Sequence, residues 1–129
     1  MNHRIHQEIT LPAPPARVFA ALTDAGTFSK MSGGAPAEID PTPGGAFSCF
    51  GGMIVGRTLE CMPDQELVQA WRAKTWPAGA YSVVRFHLEP EGEQTRVTLD
   101  QAGHPDGETE HLEQGWHANY WDPMTKMLT

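Results

Sequence analysis

Basic residues are scarce in this chain. Nine Lys and Arg face sixteen Asp and Glu, a formal charge of −7, and the nine are scattered from Arg4 to Lys126. That balance excludes nucleic acid and anionic membrane surfaces as partners. Cysteine is scarcer still: Cys49 and Cys61 stand alone, without C-x-x-C spacing. They read as small buried hydrophobes of a reducing compartment, neither a disulfide framework nor a metal site. No apolar run approaches the roughly 20 residues of a membrane-spanning helix. The opening Met1-Asn2-His3-Arg4-Ile5-His6 leads into no apolar segment, so it is not a secretion signal. A cytoplasmic protein is the expectation.

The usual chemical motifs are also missing. His3 and His6 fall on opposite faces of a strand, His111 and His117 do not share a helical face, and no H-E-x-x-H occurs. No metal and no cofactor are expected. Ser48, Ser82 and Cys49 have neither a nucleophile elbow nor an evident base. Gly51-Gly52 fits neither G-x-G-x-x-G nor a Walker spacing and is better explained as a hairpin turn. No catalytic residue is assigned.

What the chain does contain is ordered periodicity. Its 129 residues are one domain by length, residues 1–129. Residues 3–11 alternate, with Ile5, Ile9 and Leu11 on one face, which predicts a half-buried strand. Pro12-Ala13-Pro14-Pro15 stops it, and Val18, Phe19 and Leu22 then recur at helical spacing over residues 15–23. A second helical piece is expected around residues 27–31. Five strands follow, at 46–50, 53–61, 66–75, 81–88 and 96–101, separated by turn sequences such as Pro63-Asp64 and Glu91-Gly92-Glu93. The period then changes. Leu112, Trp116, Tyr120, Met124 and Leu128 fall four apart, an apolar stripe on a last helix that Pro123 should kink or restart. Asp106, Glu108, Glu110 and Glu113 crowd its start, where the helix dipole favours acids. This order predicts an α+β domain with one helix across one face of an antiparallel sheet.

Several ordered stretches resemble one known family. They are Pro14-Pro15-Ala16-Arg17-Val18-Phe19-Ala20-Ala21-Leu22-Thr23, Phe50-Gly51-Gly52-Met53-Ile54-Val55-Gly56, Val68-Gln69-Ala70-Trp71-Arg72, Trp76-Pro77-Ala78-Gly79, and Gln114-Gly115-Trp116-His117 with Tyr120. The chain resembles the heat-shock-protein-90 ATPase activator homologues, of the START-like, birch-pollen-allergen-like superfamily. The resemblance implies a helix-grip fold: two short helices after the first strand, and a curved sheet wrapped around a long C-terminal helix with an apolar cavity between. It implies a fold more strongly than an activity.

The aromatic set Phe47, Phe50, Trp71, Phe86, Trp116 and Tyr120 then has two open readings. The rings either fill the gap between sheet and helix or form the wall of a ligand cavity. Arg72, Arg85, His87, Asp100 and His117 read as solvated, since Arg85, His87 and Asp100 alternate away from the inward residues of their strands. The leading expectation is a non-enzymatic domain holding an apolar small molecule or lipid-like ligand. A stress-related chaperone-interaction module is the alternative, and a cyclase- or hydrolase-type cavity enzyme the second. Nothing in the sequence sets the ligand's identity or the oligomeric state. Trp76 marks a turn, and Trp121 falls off the helical stripe.

Overall fold

The computed structural model describes residues 4–129; His3, with which the first strand was expected to begin, lies outside them. Strand β1 (Arg4–Leu11) is followed by helices α1 (Pro15–Thr23) and α2 (Ala25–Met31). Strands β2 (Glu38–Ile39), β3 (Ala46–Cys49), β4 (Ile54–Met62), β5 (Glu66–Ala73), β6 (Ser82–Glu91) and β7 (Gln94–Ala102) come next. The chain ends in α3 (Thr109–Trp116) and α4 (Asp122–Leu128), joined by a π turn over His117–Trp121. All seven strands form one antiparallel sheet in the order β1-β7-β6-β5-β4-β3-β2. This is the helix-grip arrangement, with the C-terminal helix across the sheet's inner face. Among the described residues, no helix is long and apolar enough to cross a membrane.

Alternation builds the inner face. Ser82, Val84, Phe86 and Leu88 of β6 are buried, while Val83 and Arg85 are exposed. On β7 the buried set is Thr95, Val97, Leu99 and Gln101. Phe86 pairs with Leu99 and Leu88 with Val97, so both strands turn their apolar residues to the same side. Gly56 allows one close approach in this sheet. A Cβ there would lie 1.8 Å from the Ala70 carbonyl oxygen and 2.8 Å from the Phe47 ring.

Proline opens α1, where its missing N–H costs nothing. Asp24 ends α1 and caps α2, its carboxylate accepting from the Thr27 N–H at 2.9 Å. Val18, Phe19, Ala21, Leu22, Phe28 and Met31 are the buried residues that tie both helices to the core.

The π turn explains two features of the last helix. Four residues of an α-helix turn through about 400°, so a stripe at four-residue spacing drifts by about 40° per step. Yet Leu112, Trp116, Tyr120, Met124 and Leu128 are all buried. The turn at His117–Trp121 is one residue wider than an α turn, with the Asp122 N–H bonded to the His117 carbonyl, and it takes up that drift. It sits just ahead of Pro123, which stands in the first turn of α4 and has no N–H to give. The wider turn also overturns the expectation for Trp121. Both Tyr120 and Trp121 point inward, and Trp121 is only 2% exposed. Its indole N–H donates to Gln7 Oε1 at 2.7 Å, and Gln7 Nε2 donates to the Glu113 carbonyl at 3.1 Å, which staples the helix to β1.

Candidate functional site

An open recess of about 520 Å³ lies where the first turns of the last helix pass over the near ends of β4 and β5. Phe50, Met53 and Ile54 form one side, and Trp71, Ala73, Thr75 and Trp76 the next. The helix closes it with Glu108, His111, Leu112, Gly115, Trp116, Asn119 and Tyr120. Volumes of roughly 300–1,000 Å³ are usual for small-molecule sites, and apolar walls with a few polar groups are their norm.

The turn after β3 carries its strain at this recess. Phe50 has φ 54, a left-handed conformation unusual for a bulky residue, and Gly51 and Gly52 continue at φ 66 and 94. Ring packing holds Phe50 there: its centroid is 5.3 Å from Phe28 and 5.6 Å from Tyr120, both edge-on.

Rings continue along the floor. Trp76 and Trp71 are 5.7 Å apart, Trp71 and Trp116 5.4 Å, and Trp116 and Tyr120 4.4 Å. Trp71 and Trp116 therefore touch, and no void separates them. The space lies beside this pair, at one end of the sheet–helix gap. Of the six aromatics singled out from the sequence, Phe50, Trp71, Trp116 and Tyr120 line the recess. Phe47 and Phe86 do not; both are buried, with Phe86 edge-on behind Trp116 at 5.7 Å.

A buried relay fixes the floor. The Trp116 indole N–H donates to Gln101 Oε1 at 2.8 Å, Gln101 Nε2 donates to Ser82 Oγ at 3.0 Å, and Ser82 Oγ donates to the Trp71 carbonyl at 2.9 Å. Sequence reasoning passed over Gln101. The signal was there, since Gln101 shares strand parity with Val97 and Leu99 and had to find polar partners inside. Arg72 was expected in solvent and is instead half-buried. Its guanidinium donates to the carbonyls of Ala80 at 3.2 Å, Trp76 at 2.7 Å and Pro77 at 3.1 Å, and it lies over the Tyr81 ring. The loop at 74–81 folds back over that face and captures the side chain. Gly115 and Met53 were also missed as lining residues, Gly115 because a missing side chain leaves no periodic signal.

Two recess indoles are left without a partner. Trp76 Nε1 and Trp71 Nε1 are buried and make no hydrogen bond. Trp71 Nε1 comes near enough to the Tyr120 hydroxyl to ease its ionisation slightly, but falls short of hydrogen-bond geometry. Burial dominates that hydroxyl and, with Cys49 nearby, holds its pKa well above the ordinary tyrosine range. Burial likewise pushes the Cys49 thiol up to about 12. Among the described residues, no Lys or Arg lines the recess and Glu108 is its one carboxylate. Among the described residues, no group of three or more His, Cys, Asp or Glu is placed to hold a metal.

The other polar candidates lie on the outer face of the sheet. Arg85 pairs with Glu66 at 2.6 Å, and His6 Nδ1 lies 2.6 Å from Asp100. His87 lies 3.1 Å from Glu89, and Arg96 pairs with Glu8. His117 is exposed on the helix. None of these lines the recess.

Known proteins share this architecture. A family described as "Activator of Hsp90 ATPase homolog 1-like protein" matches residues 12–129. An uncharacterised Schizosaccharomyces pombe protein is 32% identical over 120 residues, 93% of this chain and 35% of its own length. The human activator of 90 kDa heat shock protein ATPase homolog 1 is 27% identical over 114 residues, 88% of this chain and 32% of its own. The chain thus spans about a third of the length of these two relatives. The crystal structure of an HSP90 activator from Plasmodium falciparum superposes with a TM-score of 0.92 at 28% identity, covering 97% of this chain and 95% of that one.

Proposed function

This chain belongs to the Activator of Hsp90 ATPase homolog 1-like family, and from that premise we propose a non-enzymatic binding domain whose aromatic recess holds an apolar small molecule. The observation that carries the reading is the recess itself, about 520 Å³ with Phe50, Trp71, Trp76, Trp116 and Tyr120 on its wall. Cys49 beneath the recess and Tyr120 on its wall are both buried, and burial raises the pKa of each, which suits retention over reaction. The free thiols of Cys49 and Cys61 suit a reducing, cytoplasmic setting.

Gly115 supplies a clean test. A Cβ added there would meet only Asn119 Nδ2, at 3.7 Å. Gly115→Leu therefore starts from a Cβ with room around it on the recess wall, and it improves helix propensity by roughly 0.8 kcal/mol. The neutral fluorophore N-phenyl-naphthylamine is titrated into both proteins, with melting followed in parallel. The wild type should bind and melt higher, since a ligand at a hundred times its Kd stabilises by about 2.7 kcal/mol. Gly115→Leu should fold as well or better and bind nothing. Equal binding to both would place the ligand elsewhere and end the proposal.

A second reading has its own support. The Plasmodium falciparum chain described as an HSP90 activator matches this one almost end to end. On this reading the domain touches an Hsp90-type chaperone. The test adds the purified domain to the chaperone of the same organism; an unchanged ATPase rate together with no binding by calorimetry would discard it.

A further inference from the structure

The outer face of the sheet carries arginines that no carboxylate answers. Strand register sets Arg57, Ala70, Val83, Ala102 and Arg4 in one row across five strands. Each alternates with a buried neighbour, so the whole row points away from the core. Beside it Arg72 pairs with Val55, and the Arg72 guanidinium lies over the Tyr81 ring, 5.7 Å from its centroid. Tyr81 and Val83 are each 50% exposed, large apolar groups left in water with half-buried Ala70 and Ala102 between the arginines.

Neither line contains an acid. Arg57 and Arg72 donate to main-chain carbonyls, which leaves their charge uncancelled. Among the described residues, Arg4, Arg57 and Arg72 form no ion pair. The rest of the face behaves differently. Arg85 is matched by Glu66 and Arg96 by Glu8, and the adjoining row holds Asp100 and Glu60. In a chain of net charge −7, one end of this face is thus an apolar patch with a positive rim.

The size of the patch limits what it can take. Four strand spacings separate Arg57 from Arg4, about 19 Å, the reach of roughly six extended residues. A long polyanion or an anionic bilayer would run past the patch onto Asp100, Glu60 and Glu66 and be repelled there. A fitting occupant keeps its negative charge compact and brings apolar surface for Val83 and Tyr81. Arginine and tyrosine at an apolar centre are also the residues that protein interfaces favour.

We propose that this face docks a short acidic segment of another protein, its carboxylates meeting Arg4, Arg57 and Arg72 and an apolar side chain resting on Val83. The surface lies on the opposite side of the sheet from the recess, and its occupation requires no ligand there.

The probe is a tetramethylrhodamine-labelled peptide of Glu, Leu, Gly and Ser, followed by fluorescence anisotropy beside a counterpart with Lys in place of Glu. The acidic peptide should bind and the lysine peptide should not. Arg57→Glu and Val83→Asp should each weaken binding about tenfold. Lys126→Glu changes the net charge as Arg57→Glu does, but on the exposed side of α4, and should leave the Kd within about twofold. Amide NMR of the wild type gives a readout that needs no variant to fold: resonances of Ala70, Val83 and Ala102 should move, and that of Gly115 in the recess should not. Equal weakening by Lys126→Glu, shifts gathered at Gly115, or no binding of the acidic peptide at millimolar concentration would overturn the proposal. So would sedimentation with phosphatidylserine vesicles in place of peptide binding, which would give the face to a membrane. Self-association of the domain abolished by Val83→Asp would give it to a second copy of this chain and overturn the proposal equally.

Discussion

Gln101→Leu should cost the fold about 2 kcal/mol, and the cost should vanish into a partner. Gln101 is 1% exposed and carries both ends of the relay, accepting from Trp116 and donating to Ser82. Leucine fills similar space but leaves the Trp116 N–H buried without an acceptor, a penalty of roughly 1–3 kcal/mol. Ser82 still donates to the Trp71 carbonyl, so its loss is the smaller one. A loss of about 2 kcal/mol lowers Tm by roughly 6–10 °C in a domain of this size. Trp116→Phe removes the donor instead, orphaning Gln101 Oε1 and trimming the ring, at a similar cost of about 2 kcal/mol. Combining the two leaves no orphan on either side. The pair should then fall short of additivity by about 1–2 kcal/mol, the coupling that a double-mutant cycle isolates. Equilibrium urea unfolding by far-ultraviolet circular dichroism measures all four proteins without relying on the tryptophan being mutated. If the single costs sum to the double within roughly 0.5 kcal/mol, the relay holds nothing together and the account of the floor is wrong.

Gly56→Ala should be far more damaging than a surface change, by about 3 kcal/mol or more, because the new methyl meets the Ala70 carbonyl and the Phe47 ring; a melt within a few degrees of wild type would contradict the close approach. Arg72→Met keeps the stem and removes the three carbonyl contacts that hold the loop at 74–81. It should cost about 1–2 kcal/mol and speed amide exchange in that loop, and unchanged exchange rates would show that the loop holds itself. At pH 8, one thiol per folded chain should react with Ellman's reagent. Cys61 is half-buried, whereas Cys49 is buried with its pKa pushed up to about 12. Two fast equivalents before unfolding would refute that assignment.

Much of this fold could be read from local periodicity, for physical reasons that differ by element. The β6 and β7 strands were legible because one face is packed and the other wet, so Val84, Phe86, Val97 and Leu99 alternate cleanly. Helix α1 was legible to the residue because proline opens it and its inward residues keep helical spacing. Strand β2 was not, since Glu38–Ile39 is too short to show a period and exists only by pairing with β3. Nor was the inward turn of Trp121, which depends on a π turn that no propensity announces. The recess was half legible. Its rings stand out by type, but which rings touch and which leave space is set by how the helix crosses the sheet. Trp71 and Trp116 meet while Gly115 opens the wall between Leu112 and Asn119, and neither fact has a local cause in sequence.

The π turn also makes the last helix a part of fixed length. Inserting or deleting one residue within α3 or α4, outside the wider turn, would swing everything on one side of the change by about 100°. Met124 and Leu128 would leave the core, or Leu112 and Trp116 would leave the recess, depending on which side stayed anchored. Lengthening the chain at 103–108, or past 128, carries no such penalty, because no stripe has to be kept in phase there. Relatives of this domain should therefore differ in loop length before this helix and after it, and hold constant the sixteen-residue interval that separates the equivalents of Leu112 and Leu128.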